Sequence, residues 1–141
     1  MRLSSTARYA IGALVHMAAR GEDRAYFSPD ISRREGCPGE VLREALKRLV
    51  HAGLLHSLRG SRGGYRLCRP ARAISLLEVI EAVDGPIRGE AIPWQGEVDG
   101  LDRRLHEVCD RAAAEARQYL RKIHVSDLYA GPVGKLPEVG R

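Results

Sequence analysis

Cysteine is scarce in this 141-residue chain: Cys37, Cys68 and Cys109, with no short spacing between any two. An odd, scattered set makes no disulfide framework and suits a reducing cytoplasm. No apolar run approaches the roughly eighteen residues of a membrane-spanning helix. The N-terminus lacks the basic, apolar and small-residue order of a secretory leader, so no membrane partner is expected. Catalytic groupings are missing as well. No nucleophile–base pair or paired carboxylate stands out, and Gly60–Gly64 is followed by neither a lysine-serine step nor a helix, as a phosphate loop would be. The expectation is a protein that is not an enzyme.

What is present is an ordinary globular composition, 44% hydrophobic and 29% charged, in a chain of one-domain length. A net charge of +5 favours a polyanionic partner only slightly, because solubilising surface charge looks the same. The informative stretch is Cys37–Pro70. Val41, Leu42, Ala45, Leu46, Leu49 and Val50 recur at helical spacing and mark one buried face, started near Pro38-Gly39 and stopped near Gly53. Leu54-Leu55 and Tyr65-Arg66-Leu67 then flank Arg59-Gly60-Ser61-Arg62-Gly63-Gly64, a glycine-rich hairpin tip. Arg59 and Arg62 on such a tip face solvent or an anion. A helix followed by a basic hairpin outlines a winged helix, whose helix enters the DNA major groove while the wing grips backbone or minor groove.

Upstream, Thr6–Arg20 carries an apolar stripe (Tyr9, Ala10, Ala13, Leu14, Met17, Ala18), with Ser4 or Ser5 as N-cap. Arg2 and Arg8 near that helix start oppose its dipole. They are either solvated or neutralised by a phosphate. His16 on this helix reads as structural. Phe27-Ser28-Pro29-Asp30 opens a short capped helix to about Arg34, broken by Gly36. Two helices so closely joined make a helix-turn-helix, the second being the reader. Its outward positions are Glu40, Arg43, Glu44, Lys47 and Arg48. Arg43 is the expected guanine reader, through paired bonds to O6 and N7. Glu40 and Glu44 either accept from cytosine or pair with Arg43 or Lys47. With Ser28, Val41, Gly60, Ser61 and Gly63, these residues form the candidate DNA surface.

Downstream, Ser75 caps a helix with Leu76, Leu77, Val79, Ile80 and Val83, ended by Asp84-Gly85-Pro86. Residues 87–100 form a loop, in which Trp94 either lines a ligand pocket or anchors the loop to the core. A long helix then runs to about Lys122, with Leu101, Leu105, Val108, Ala112, Ala116, Tyr119, Leu120 and Ile123 as its stripe. A partner subunit is the economical cover for that stripe, packing on its own domain being the alternative. The expected division is a winged domain at 1–85, a loop and dimerisation helix at 86–130, and a flexible tail at 131–141.

Met1-Arg2-Leu3-Ser4, Arg8-Tyr9-Ala10, Leu46-x-x-Leu49, Ala52-Gly53-Leu54 and above all Leu58-Arg59-Gly60-x-x-Gly63-Gly64-Tyr65-x-Leu67 resemble the Rrf-two family of bacterial transcription regulators. Ile74-Ser75-Leu76-x-Glu78-Val79-Ile80 continues the match to Gly85, and residues 101–130 follow more loosely. The resemblance implies a homodimeric winged-helix DNA binder whose first helix, recognition helix and wing face the operator. Many relatives carry serine or tyrosine at the start of the recognition helix and glutamate and glutamine near its middle. Glu40, Val41, Arg43 and Glu44 stand there in this chain, so a different operator is expected.

Cluster-binding relatives place closely spaced cysteines and a histidine before the long helix, because thiolates hold iron as soft, charged donors. Here the stretch from Glu90 to Arg104 has no cysteine; Arg103 falls at the last cysteine position and His106 at the histidine position. No iron–sulphur cofactor is therefore expected at that place. A metal or cluster held by the scattered cysteines and histidines is a separate possibility that spacing does not test. Cys37 reads as a small buried hydrophobe or a redox thiol, and Cys109, near Arg111, as a packed thiol or a redox thiolate. Two regulator classes result, both on a nucleoid-bound cytoplasmic protein. One is a homodimeric repressor on a palindromic operator. In the other, a partner protein, thiol oxidation or a small ligand sets DNA affinity.

Overall fold

The computed structural model describes residues 1–60 and 63–129. The expected wing-tip residues Ser61 and Arg62 and the expected tail at 131–141 lie outside the described residues. The order is α1 (Ser5–Arg20), α2 (Ser28–Glu35), α3 (Gly39–His51), β1 (Leu55–Ser57), β2 (Tyr65–Leu67), α4 (Leu76–Asp84) and α5 (Leu101–Arg121). One 3-10 turn, Ala71–Ala73, precedes α4, and another, Val125–Leu128, follows α5. This is the mainly helical winged helix-turn-helix with a long C-terminal helix that the sequence predicts.

Local chemistry sets the boundaries. Ser4 Oγ accepts the Ala7 amide at 3.0 Å, starting α1. Ser75 and Glu78 form a reciprocal capping box at α4. The start of α2 departs from expectation: Ser28 is its first helical residue, Phe27 holds the cap position, and no side chain caps the helix. Its end is tightly made. Ser32 Oγ donates to Cys37 O at 2.6 Å, and Cys37 N donates back to Ser32 O at 3.2 Å, which fixes the turn into α3.

The main core is an apolar cluster gathered from every element before α5 and from Val125 after it. Leu14, Met17, Ile31, Leu42, Leu46 and Leu49 are fully buried there. Truncating any one of them to alanine costs about 2–5 kcal/mol. Leu55 and Leu67 pair across β1 and β2 with their side chains inward, while His56 and Arg66 pair with theirs outward. The wing gains a third extended segment that the sequence did not announce. Tyr26 and Tyr65 exchange backbone hydrogen bonds, both at 2.8 Å.

The chain after α5 returns to the winged domain. Leu76 N donates to Ile123 O at 2.8 Å and Val125 N to Ile74 O at 2.9 Å, and Val125 is fully buried in the main cluster. The expected boundary after residue 85 is therefore crossed by residues 123–125. Two members of the expected dimerisation stripe are spent in the same way. Leu120 packs with Leu77 and Ile80, and Ile123 is 3% exposed within its own subunit. Trp94 is no core anchor either, being half exposed with its ring against Gly96 of its own loop. A different contact holds that loop. Gly89 lies so close to α5 that a Cβ there would overlap the backbone of Cys109 and Asp110.

Candidate nucleic-acid interface

Helix α3 buries Leu42, Ala45, Leu46 and Leu49, which turns Glu40, Arg43, Glu44, Lys47 and Arg48 outward. They are not equally available. Arg48 donates through Nε to Glu44 Oε1 at 3.0 Å and through Nη1 to the Val83 carbonyl at the end of α4. That pair ties α3 to α4 and draws Glu44 away from reading. Arg43 and Lys47 enter no ion pair among the described residues. Arg43 lies back along its own helix, with Nη1 3.7 Å from where a Gly39 side chain would begin. Val41 is half-buried, and so belongs partly to the core face and partly to the surface.

The wing places Arg59 exposed at its tip. Leu58 N donates to Gly64 O at 2.8 Å and Gly63 N to Gly60 O at 3.2 Å. Gly64 has φ +123°, and a Cβ there would meet Phe27 Cε1 at 3.1 Å and Tyr26 O at 3.3 Å. The wing thus crosses the Tyr26–Phe27 segment closely, with a backbone angle that favours glycine. Arg2 and Arg8 are exposed at the start of α1, and Ser28 is half-buried at the start of α2. Ser4 Oγ also donates to Asp84 at 2.6 Å, so the first turn of α1 is held against the end of α4.

Helix-turn-helix, three-segment wing and buried second-helix face are now assembled, and comparison with known proteins decides their kinship. Residues 3–131 match the Rrf2 family, described as iron-dependent transcriptional regulators. The chain belongs to the Rrf2 family. It is 33% identical over 129 residues to the HTH-type transcriptional regulator IscR of Vibrio cholerae, covering 91% of this chain and 75% of that one. It is 36% identical over 115 residues to IscR of Klebsiella pneumoniae, covering 82% and 71%. The solved structure of CymR, the global cysteine regulator of B. subtilis, superposes with a TM-score of 0.70 at 25% identity, over 91% of this chain and 95% of that one. This Rrf2 protein is accordingly a DNA-binding transcription regulator and not an enzyme.

The segment before α5 lacks the thiols that a cluster at that place would take. Between Cys68 and Cys109 there is no thiol at all. His106 Nε2 instead lies 3.4 Å from Asp110 Oδ2, and among the described residues no three His, Cys, Asp or Glu side chains are grouped to hold a metal. Hard carboxylates and one imidazole are a poor substitute for the thiolates of a cluster. The three cysteines also differ in burial. Burial pushes the Cys37 thiol up, partly offset by a hydrogen bond to its own backbone, and the nearby Glu35 charge adds a smaller push upward. At 6% exposure Cys37 is poorly placed as a redox thiol. Cys68 is also pushed up by burial, and Cys109 is half-buried on α5.

Sequence reasoning missed a buried polar contact behind the reading head. His16 is 4% exposed, and its Nδ1 lies 2.5 Å from Glu35 Oε1 at the end of α2. Tyr26 stands edge-on to the His16 ring at 5.7 Å, and its hydroxyl faces Gly21 O at 2.7 Å and Met17 O at 3.1 Å. The signal was a lone histidine on an apolar helix face, which spacing alone does not pair with a residue nineteen positions away.

Proposed function

We propose that this regulator binds duplex DNA as a homodimer and represses from a palindromic operator, without a cluster in the segment before α5. The observation that carries the reading is the split character of α3. One side is sunk in the core, and the other presents Arg43 and Lys47 uncommitted beside a basic wing. Arg43 reads guanine, Glu40 adjusts the neighbouring base, and Arg2, Arg8, Lys47, Arg59 and Arg62 supply phosphate contacts.

Dimerisation is supported by what α5 leaves uncovered. Leu105 is 41% exposed and Val108 64%, and both lie on the face shared with Leu101, Ala112 and Ala116. A helix of 21 residues with an open apolar stripe buries it best against a second copy. A cytoplasmic, nucleoid-associated location follows from this reading. Among the described residues no helix is long and apolar enough to cross a membrane.

The inducing signal is then something other than a cluster at the family position. A partner protein, a small ligand or oxidation at Cys109 fills that role, since burial disfavours Cys37. The test is a selection of bound sequences from a random duplex library, repeated with Arg43→Ala. A palindromic consensus with guanines that the variant no longer prefers, at about 1–3 kcal/mol per site, is the expected result. Unchanged relative affinities would remove Arg43 as the reading residue.

A further inference from the structure

Behind the helix-turn-helix, the end of α1, residues 24–27 and α2 enclose a cleft of about 450 Å³. Arg20, Arg24 and Arg34 line it, with Asp30, Tyr26 and the buried His16. The acids nearby are already engaged. Asp30 accepts from Arg33, and Glu35 is held by His16 Nδ1. Arg20, Arg24 and Arg34 enter no ion pair among the described residues. Three arginines thus line one small concavity against a single lining carboxylate, Asp30, which Arg33 already engages.

The helix dipoles favour Arg20 and Arg34 individually, because each stands in the last turn of its helix. They do not explain why the two converge with Arg24. Arg24 has its guanidinium carbon 5.8 Å from the Tyr26 ring centre, which positions it over the same cleft. The field is felt there: burial raises the Tyr26 hydroxyl, while Arg24 and then Arg20 pull it back. The floor is polar as well. His16 commits Nδ1 to Glu35, and its Nε2 has no partner among the described residues.

We propose that this cleft binds a phosphate-class oxyanion, with planar guanidiniums forking onto its oxygens. The oxyanion comes either as a free small phosphate or as a backbone phosphate of bound DNA. Its walls belong to the reading head: α2 is the first helix of the helix-turn-helix, and Tyr26 is the backbone partner of wing residue Tyr65. An anion drawing the three arginines together holds α1, the wing base and α2 in one arrangement. The site itself stands independently of the DNA-binding reading; its effect on operator affinity rests on that reading.

The test compares wild type with the triple variant Arg20→Gln, Arg24→Gln, Arg34→Gln. A charge-matched control carries Arg72→Gln, Arg103→Gln, Lys122→Gln, and circular dichroism checks that all three proteins are folded. Inorganic phosphate is titrated at constant ionic strength, with chloride as the balancing salt, and followed by calorimetry and by amide shifts of residues 16–34. Saturable binding that the triple variant weakens at least tenfold, and the control does not, supports the site with a free ligand. In parallel, a random-sequence duplex of about 30 base pairs is titrated across salt concentrations. No free-phosphate binding, together with a salt slope lowered in the triple variant alone by about 0.9 per contact, supports the site with DNA phosphate as its occupant. Neither effect, or equal effects in the control, overturns the proposal. Wild type that binds no duplex at all would instead defeat the DNA-binding reading, and the phosphate titration would still decide the cleft.

Discussion

Gly64 and Gly60 offer a controlled comparison of what the wing demands. Both have positive φ, +123° and +139°, so alanine at either position carries a backbone strain of about 1–3 kcal/mol. Their surroundings differ. An alanine Cβ at Gly60 meets nothing within 4 Å among the described residues, whereas at Gly64 it lies 3.1 Å from Phe27 Cε1 and 3.3 Å from Tyr26 O. The phenyl ring can swing aside. The carbonyl is held, because Tyr26 O accepts the Tyr65 amide at 2.8 Å. Relieving the overlap therefore means loosening the bridge between Tyr26 and β2, an overpacking cost of about 1–3 kcal/mol beyond the shared strain. Urea unfolding should place Gly64→Ala about 2–6 kcal/mol below wild type and Gly60→Ala only about 1–3 kcal/mol below it, with similar denaturant slopes. Displacing the wing base also misplaces Arg59, so fluorescence anisotropy should show Gly64→Ala weakening all duplexes alike. Stabilities within 0.5 kcal/mol of each other for the two variants would refute the claim that the crossing at Tyr26 sets the wing.

Arg59→Ala should lower affinity for every sequence and reduce the slope of log affinity against log salt by about 0.9, as read by anisotropy titrations. Val108→Glu with Leu105→Glu should convert a dimer to a folded monomer in sedimentation velocity. A dimer that persists would place the interface elsewhere. Glu78 gives a pH prediction. Burial opposes its charge, but the Ser75 amide and the Arg69 guanidinium outweigh that and hold the carboxyl below its ordinary value of 4.5. A depressed carboxylate stabilises the fold above its unfolded value, and that advantage is lost as pH falls through the folded value. The Tm advantage of wild type over Glu78→Gln should therefore be full at pH 7 and shrink below about pH 4.5. An advantage that does not change with pH would reassign it to packing.

Helix periodicity made α1, α3, α4 and α5 readable because each must bury one face, and Leu42, Ala45, Leu46 and Leu49 repeat at the spacing that does so. The Ser75–Glu78 capping box was readable for the same local reason. The wing was legible from its glycines and arginines, but its third segment was not. Tyr26 precedes Tyr65 by more than a helix-turn-helix, and nothing in either neighbourhood announces the pairing. Leu120 and Ile123 were misassigned to a partner subunit because a helical stripe states that it must be covered, never by what. The spacing offered Arg43 or Lys47 as partners of Glu44, whereas the fold pairs it with Arg48, and the anchoring of Arg48 to Val83 O was not legible either.

By itself, then, the sequence determined the helices, the basic wing and the missing thiols before α5, since turn chemistry, periodicity and donor identity are properties of neighbouring residues. Tertiary structure alone decided which outward arginines are spoken for, that residues 123–125 close the winged domain, and that Arg20, Arg24 and Arg34 share one cleft over His16. Those are relations between residues far apart in the chain. Only packing of the core brings them within reach of each other's charges and hydrogen bonds.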